Sequence, residues 1–302
     1  MFTPEPRARV RSGPPGAQVV TGALAAGRLF GGCFILVSFL IALPAPSDEE
    51  VTVGNIPSSV LESRLREAKF DNHARQEAIR SLFGAAGCDP AKLEERKVKH
   101  GKSANVICSL PAANDTLGEI LVGAHFDHVG TGDGMIDNWS GAALLASLFE
   151  SMKVQPRRHT FIFISFADEE HGLNGSRDFA KSLSKQERSS IRAFVNLDSL
   201  AAGTTAIWLT RADKRLADDA AGVAQSLKLP LRVFNLDGEG NTDSASFRNS
   251  KIPVIDFHSL DRSSLHIIHS GDDTFNAVDM AAYSDSFRLI STFLGIIDQR
   301  LQ

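Results

Sequence analysis

The stretch AHFDHVGTGDGMIDNWSG, residues 124–141, sets His125, Asp127, His128, Asp133 and Asp137 directly after the apolar run EILVG. Charged groups beside a core are costly unless they are paired or hold a cation, and these are residue types that can ligate a metal. Three later segments carry the same residue types. Glu169 and Glu170 follow FIFISFAD, Asp198 ends VNLD, and His266 and His269 stand in SLHIIHSGDDT, with His258 a third late histidine. Imidazole nitrogens and carboxylate oxygens are donors suited to zinc. Taken singly, a histidine or an acidic pair is an ordinary structural or surface feature; the signal lies in the set.

What must position the set is a sheet. ANVICSL, EILVGAH, HTFIFISFAD, AFVNLDSL, TAIWLT and KIPVIDFHS read as strands, and the polar turn PAANDTLG predicts that the first two form a hairpin. Between them, SGAALLASLFESM reads as a helix opened by Ser140 as its cap, and residues 176–192, 213–227 and 279–300 read as further helices. VLESRLREAKFDNHARQEAIRSLFGAAG predicts one or two amphipathic helices ending near Gly87. Strands alternating with helices predict an α/β three-layer sandwich, a mostly parallel mixed central sheet with helices on both faces. In such sheets, sites assemble at the carboxyl ends of strands, where the acids and histidines fall.

Composition narrows the function. The net charge of −4, with no long basic block, argues against nucleic acid as a partner. Residues 1–28 form a basic tail with Arg7, Arg9, Arg11 and Arg28, and the apolar run LFGGCFILVSFLIAL follows, then Pro44, Pro46 and three acids. Basic before and acidic after is the pattern of export, so residues 29–46 are expected to be a signal peptide or membrane anchor. No A-x-A-like cleavage site follows the run, which favours the uncleaved anchor, with the remaining chain facing the extracytoplasmic side; cleavage would leave it secreted or periplasmic. Cys33 lies in the run. Cys88 and Cys108 are either paired or two buried thiols, since spacing alone does not decide between them.

GAHFDHV, DNWSGAALL, FADEEHGLNGS, VNLDS and HSGDDTFNAVD, in that order, make the chain similar to the M28 zinc peptidases, a family of aminopeptidases with co-catalytic zinc ions. The resemblance runs from about Ala104 to Gln302 and makes residues 51–302 a single peptidase-like domain. It implies two zinc ions per chain: His125 and Asp198 as ligands of one, Glu170 and His269 of the other, and Asp137 as the bridge. His269 is preferred to His266 because the family's histidine stands four positions before an Asp-Thr pair, here Asp273 and Thr274. Glu169 becomes the general base that activates a metal-bridging water against an N-terminal peptide bond, and Asp127 the carboxylate that accepts the other N–H of the His125 imidazole.

The sequence also departs from the family. His128 stands where a small hydroxyl residue is usual and is expected at the rim of the site rather than on the metal. The family's Asp-His-x-x-Phe element appears as Asp243, Ser244, Ala245, Ser246, Phe247, without the histidine. Asp133 and His171 are expected in solvated loops and Trp139 in packing. Two alternatives to a peptidase follow from the fold type: a glutaminyl-cyclase-like single-zinc acyltransferase, or a catalytically silent binding module.

Overall fold

Helix 72–85 begins where it does because Asp71 is placed as its cap, the side chain accepting the backbone N–H of Ala74 at 2.9 Å. The same device recurs along the chain in the computed structural model, which describes residues 51–302 apart from Thr52, His100, Asp115 and Gln155. Asp213 and Asp279 cap helices 214–227 and 280–300, and Ser184 with Glu187 forms a capping box. The helices are α1 (Ser58–Leu65), α2 (Asn72–Ala85), α3 (Ser140–Met152), α4 (Asn174–Ser182), α5 (Lys185–Ser190), α6 (Lys214–Leu227), α7 (Ser244–Arg248) and α8 (Met280–Arg300).

The strands are β1 (Leu93–Lys97), β2 (Ala104–Leu110), β3 (Glu119–His125), β4 (Thr160–Phe166), β5 (Ile191–Leu197), β6 (Ala206–Ile207), β7 (Arg232–Val233) and β8 (Val254–His258). They form one sheet in the order β1-β2-β4-β3-β5-β8-β6-β7. Its centre, β4-β3-β5-β8, is parallel, while β1 and β2 join one edge antiparallel. On the other side β6 runs antiparallel to β8 and parallel to β7. This is the expected mixed α/β sandwich. Alternation along each strand sorts the core: Ile120, Val122, Phe161, Phe163, Ala193 and Val195 face the layer of α1, α2, α3, α6 and α8. Leu121, Ile164, Phe166 and Phe194 face α4 and α7, where Phe247 stacks on Phe194 with ring centroids 4.0 Å apart.

Four local expectations are corrected. ANVICSL and EILVGAH do not form a hairpin: β4 lies between them, because the hydrophobic run 160–166 is buried on both faces and takes the inner position. Ser140 is not a cap but the first residue of α3, its hydroxyl turned back to donate to the carbonyl of Ile136 at 2.8 Å. The helical stretch 176–192 is two short helices, and its last two residues open β5. TAIWLT contributes only Ala206 and Ile207, the chain turning at Trp208, whose indole N–H donates to Thr210 and Asp237. Three elements have no counterpart in the sequence pattern: β1, whose polar residues give no strand signal, the two-residue β7 and the five-residue α7. Cys88 and Cys108 are paired, linking the end of α2 to β2. No helix of the described residues is long and apolar enough to cross a membrane, and the run 29–46 lies outside them.

Candidate metal centre

Three parallel strands deliver the site with their last residues. His125 ends β3, Glu169 and Glu170 sit on the turn after β4, and Asp198 follows β5. Asp137 comes from the turn Met135–Trp139 leading into α3, where its own backbone is non-helical (φ −112°, ψ 92°) and its peptide bond to Asn138 is cis. His269 arrives from the long loop between β8 and α8. These six side chains line one cavity of about 390 Å3. Leu173, Ser199 and His269, which line the cavity, hold left-handed backbone conformations with φ of 61°, 54° and 57°, unfavourable for residues with a Cβ.

Asp137 is at the centre. Its Oδ1 lies 3.2 Å from His125 Nε2 and its Oδ2 lies 3.1 Å from His269 Nε2. His125 Nε2 also faces Asp198 at 3.7 Å and Glu169 at 3.9 Å, while His269 Nε2 faces Glu170 at 3.1 Å. Burial opposes ionisation of Asp137, yet the two imidazoles hold its carboxyl well below the ordinary range. Burial likewise opposes charge on His125, and the surrounding carboxylates, Glu169 foremost, raise its pKa well above that of free imidazole. His269 is pushed up to about 10 by its hydrogen bonds to Asp137 and Glu170. Glu169 is raised far above a free carboxyl, chiefly by burial.

The donor set fits zinc. It contains imidazole nitrogens and carboxylate oxygens and no thiol, and the donor atoms of His125, Asp137 and Glu170 lie within 4.8 Å of one another, as do those of His125, Glu169 and Asp198. The buried Oε1 of Glu170 has no hydrogen-bond partner among the described residues, a position a cation would satisfy.

A second ring of residues fixes these groups. The imidazole of His125 donates from Nδ1 to the backbone carbonyl of Asp127 at 3.1 Å; the Asp127 carboxylate, expected in that role, stands 3.6 Å away. That carboxylate instead accepts the backbone N–H groups of Glu169 at 3.1 Å and Glu170 at 3.3 Å, clamping the acidic turn to the β3 loop. Asp273 does the same for the turn that carries Asp137, accepting Ile136 N–H at 2.6 Å and Asp137 N–H at 3.1 Å. Burial pushes its pKa up to about 6. Asn138 donates to the Leu197 carbonyl and accepts from Gly141 and Ser199, tying the turn to the end of β5. A Cβ at Gly141 would come within 2.6 Å of both Asn138 Oδ1 and the Leu197 carbonyl, so glycine is required there.

The remaining candidates fall outside the cluster. His266, His171 and Asp133 are exposed, and Trp139 is buried with its indole donating to the Arg64 carbonyl. His128 is buried, donating from Nε2 to Phe70 O at 2.6 Å with Nδ1 accepting from Gly130, so it faces away from the cluster. His258 lines the cavity but donates to the Phe234 carbonyl at 2.9 Å, and burial lowers its pKa to about 4. Asp243, in the element lacking the family's histidine, is buried, and burial pushes its pKa up to about 7. Neighbouring Asp256 accepts from Thr242, Ser244 and Asn196. In the sequence, Asp273 and Asn138 stand in HSGDDT and DNWSG only as landmarks; an acid or amide beside a ligand is the signal that they position it.

Comparison with known proteins bears on the family and the fold. The sequence model of Peptidase family M28 matches residues 105–294. Leupeptin-inactivating enzyme 1 of Streptomyces exfoliatus is 28% identical over 153 residues, covering 50% of this chain and 34% of that protein. The chain thus spans about a third of that curated relative. Among solved structures, a zinc aminopeptidase from Bacillus subtilis matches with a TM-score of 0.59 at 21% identity, over 66% of this chain and 50% of that one. An Acidobacteriales bacterium glutaminyl cyclase matches with a TM-score of 0.66 at 16% identity, over 80% and 94%. At these identities the structural matches establish the fold.

Proposed function

The chain belongs to peptidase family M28, and from that premise we propose that it is a two-zinc aminopeptidase that hydrolyses the N-terminal peptide bond of peptides. The observation that carries the reading is Asp137, whose two oxygens face two different imidazoles at 3.2 and 3.1 Å, the disposition of a bridging carboxylate. His125 and Asp198 would hold one zinc, Glu170 and His269 the other. When bound, the ions supply Lewis acidity, polarising the scissile carbonyl and lowering the pKa of water.

The protein supplies the proton chemistry. Glu169 lines the cavity beside the ligands and is the one acid of the cluster left without a ligand role. Its carboxylate takes the proton of the attacking water and returns it to the leaving amine, and its backbone, held by Asp127, keeps the group aimed at the cavity. Leu173, Trp208, Leu236, Leu260, Leu265 and Ile268 line the same cavity, so an apolar side chain of the terminal residue is the favoured occupant. At about 390 Å3 the cavity is at the small end of the usual range of roughly 300–1,000 Å3, in keeping with a terminal residue rather than a long segment. The Cys88–Cys108 pair supports an oxidising compartment, consistent with export through residues 29–46.

The test is zinc stoichiometry on the full chain combined with assays on leucyl, glutaminyl and N-acetyl-leucyl 4-nitroanilides. Two zincs per chain, fewer in Asp137→Ala, and cleavage of the free-amine leucyl substrate alone are expected. Glu169→Gln should keep its zinc and lose about 10²- to 10⁴-fold in kcat. One zinc with cyclisation of an N-terminal glutamine would replace the reading by an acyltransferase; no zinc and no turnover would leave a binding module.

A further inference from the structure

Arg75, on α2, lies outside the span matched by the family model and is fully buried. No carboxylate of the described residues is within ion-pair distance of it. Its guanidinium instead donates to four backbone carbonyls: Nη1 to Phe126 at 2.9 Å, Nη2 to Asp133 and to Gly134 at 3.2 Å, and Nε to Lys69 at 2.6 Å. Three of those acceptors belong to one loop. Phe126 directly follows His125, and Gly134 stands three residues before Asp137, so the planar fork grips both ends of the segment that separates them.

The grip is built in from other directions. Gly134 adopts φ 54°, where a Cβ would come within 2.4 Å of the His128 Cβ, and its carbonyl also accepts the Trp139 N–H. The Arg75 guanidinium lies over the Trp139 ring, 5.4 Å from its centroid, at the far end of the turn that carries Asp137. One helical turn away, Asn72 exchanges two hydrogen bonds with the backbone of His128, both 3.2 Å. A buried cation of this kind is costly unless every donor is used, and it adds fixed positive charge near Asp127, Asp273 and Asp137.

We propose that Arg75 is a positioning residue for the metal centre: by fixing residues 126–134 from α2 it sets the separation of His125 and Asp137, and with it zinc affinity and coordination geometry. The inference rests on the zinc reading above. Lysine cannot reproduce it, since one ammonium cannot reach carbonyls at both ends of the loop with a fork's fixed geometry.

The experiment compares the wild type with Arg75→Met, Arg75→Lys and Arg64→Met. Arg64 is the matched control: also buried and on an N-terminal helix, it pairs with Glu150 and Ser147 of α3 and does not touch the loop. Zinc affinity by chelator competition, the visible spectrum of the cobalt-loaded protein, the melting temperature of the zinc-free protein, and kcat and KM are measured for each. Arg75→Met should weaken zinc binding about 10- to 100-fold, alter the cobalt spectrum and lower kcat with KM little changed, with Arg75→Lys in between. Arg64→Met should lose stability and keep both zinc affinity and spectrum. If Arg75→Met retains wild-type affinity and spectrum, or loses no more affinity than Arg64→Met does for the same loss of melting temperature, the inference is overturned. Should Arg75→Met fail to fold, Arg75→Lys decides the matter on the same criteria. A wild type that binds no zinc overturns the zinc reading together with this inference, whereas two zincs in every protein at equal affinity overturn this inference alone.

Discussion

His125 and His269 face the same aspartate from opposite sides, yet one is a product of the sheet and the other of a loop. The side chain of His125 is 2% exposed, that of His269 53%. His125 ends a buried strand, donates its second nitrogen to a fixed carbonyl and has Arg75 locking the residue after it. His269 sits at φ 57° on a stretch with no regular element, and its ring faces the two carboxylates Asp137 and Glu170. The centre is thus built from a rigid half and a half that solvent reaches, and the two should respond differently to the same mutation.

The largest effect is expected at the rigid half. In zinc-free protein, His125→Ala leaves Asp137, Glu169 and Asp198 without the imidazole that faces all three, and removing one partner of a buried ionic group costs about 3–5 kcal/mol. Urea unfolding in the presence of a chelator measures it. A loss below about 1 kcal/mol would mean that the buried acids find protons or water at little cost and that the contrast between the halves is illusory.

A smaller effect is expected where the halves are joined. Asp127 belongs to the β3 loop but accepts both backbone N–H groups of the Glu169–Glu170 turn. Asp127→Ala should therefore weaken zinc binding about 10- to 100-fold, the usual cost of losing a group that orients ligands. Competition titration decides it, and the outcome separates two roles. On the two-zinc reading, if Asp127 serves only the His125 imidazole, the role that the family resemblance implies, the zinc proposed for His125 and Asp198 alone would weaken; a clamp on the acidic turn predicts that the one proposed for Glu170 weakens as well.

The part of the centre that strands deliver is also the part that is legible in sequence. A strand running straight into an acid or a histidine announces a site by the cost of putting charge beside a core, and His125, Glu169, Glu170 and Asp198 each stand at such a junction. The alternation of strands and helices likewise points to the α/β class. His269 has no such junction, and only the resemblance selects it over His266. Strand order is not legible in the same way, because a polar turn between two strand-like segments signals a hairpin locally, while the burial of β4 on both faces is a property of the whole sheet. Arg75 is hidden for a related reason: in the sequence it is one of several charges on an amphipathic helix, and its acceptors Phe126 and Gly134 lie 51 and 59 residues away.

The smallest effect is expected at His269, and its pH dependence tells more than its size. The folded protein raises this imidazole to about 10 through its hydrogen bonds to Asp137 and Glu170, against about 6.5 in an unfolded chain. The native state therefore binds the proton more tightly, so the stabilisation is complete below about pH 6.5 and drains away as the pH rises toward 10. Because half of the ring is in solvent, screening makes this contribution the smallest of the three. In zinc-free protein, the stability difference between wild type and His269→Ala should be greatest near about pH 6 and vanish by about pH 10. A difference that stays constant over that range would show that His269 contributes packing rather than charge, and the exposed half would then be as preorganised as the buried one.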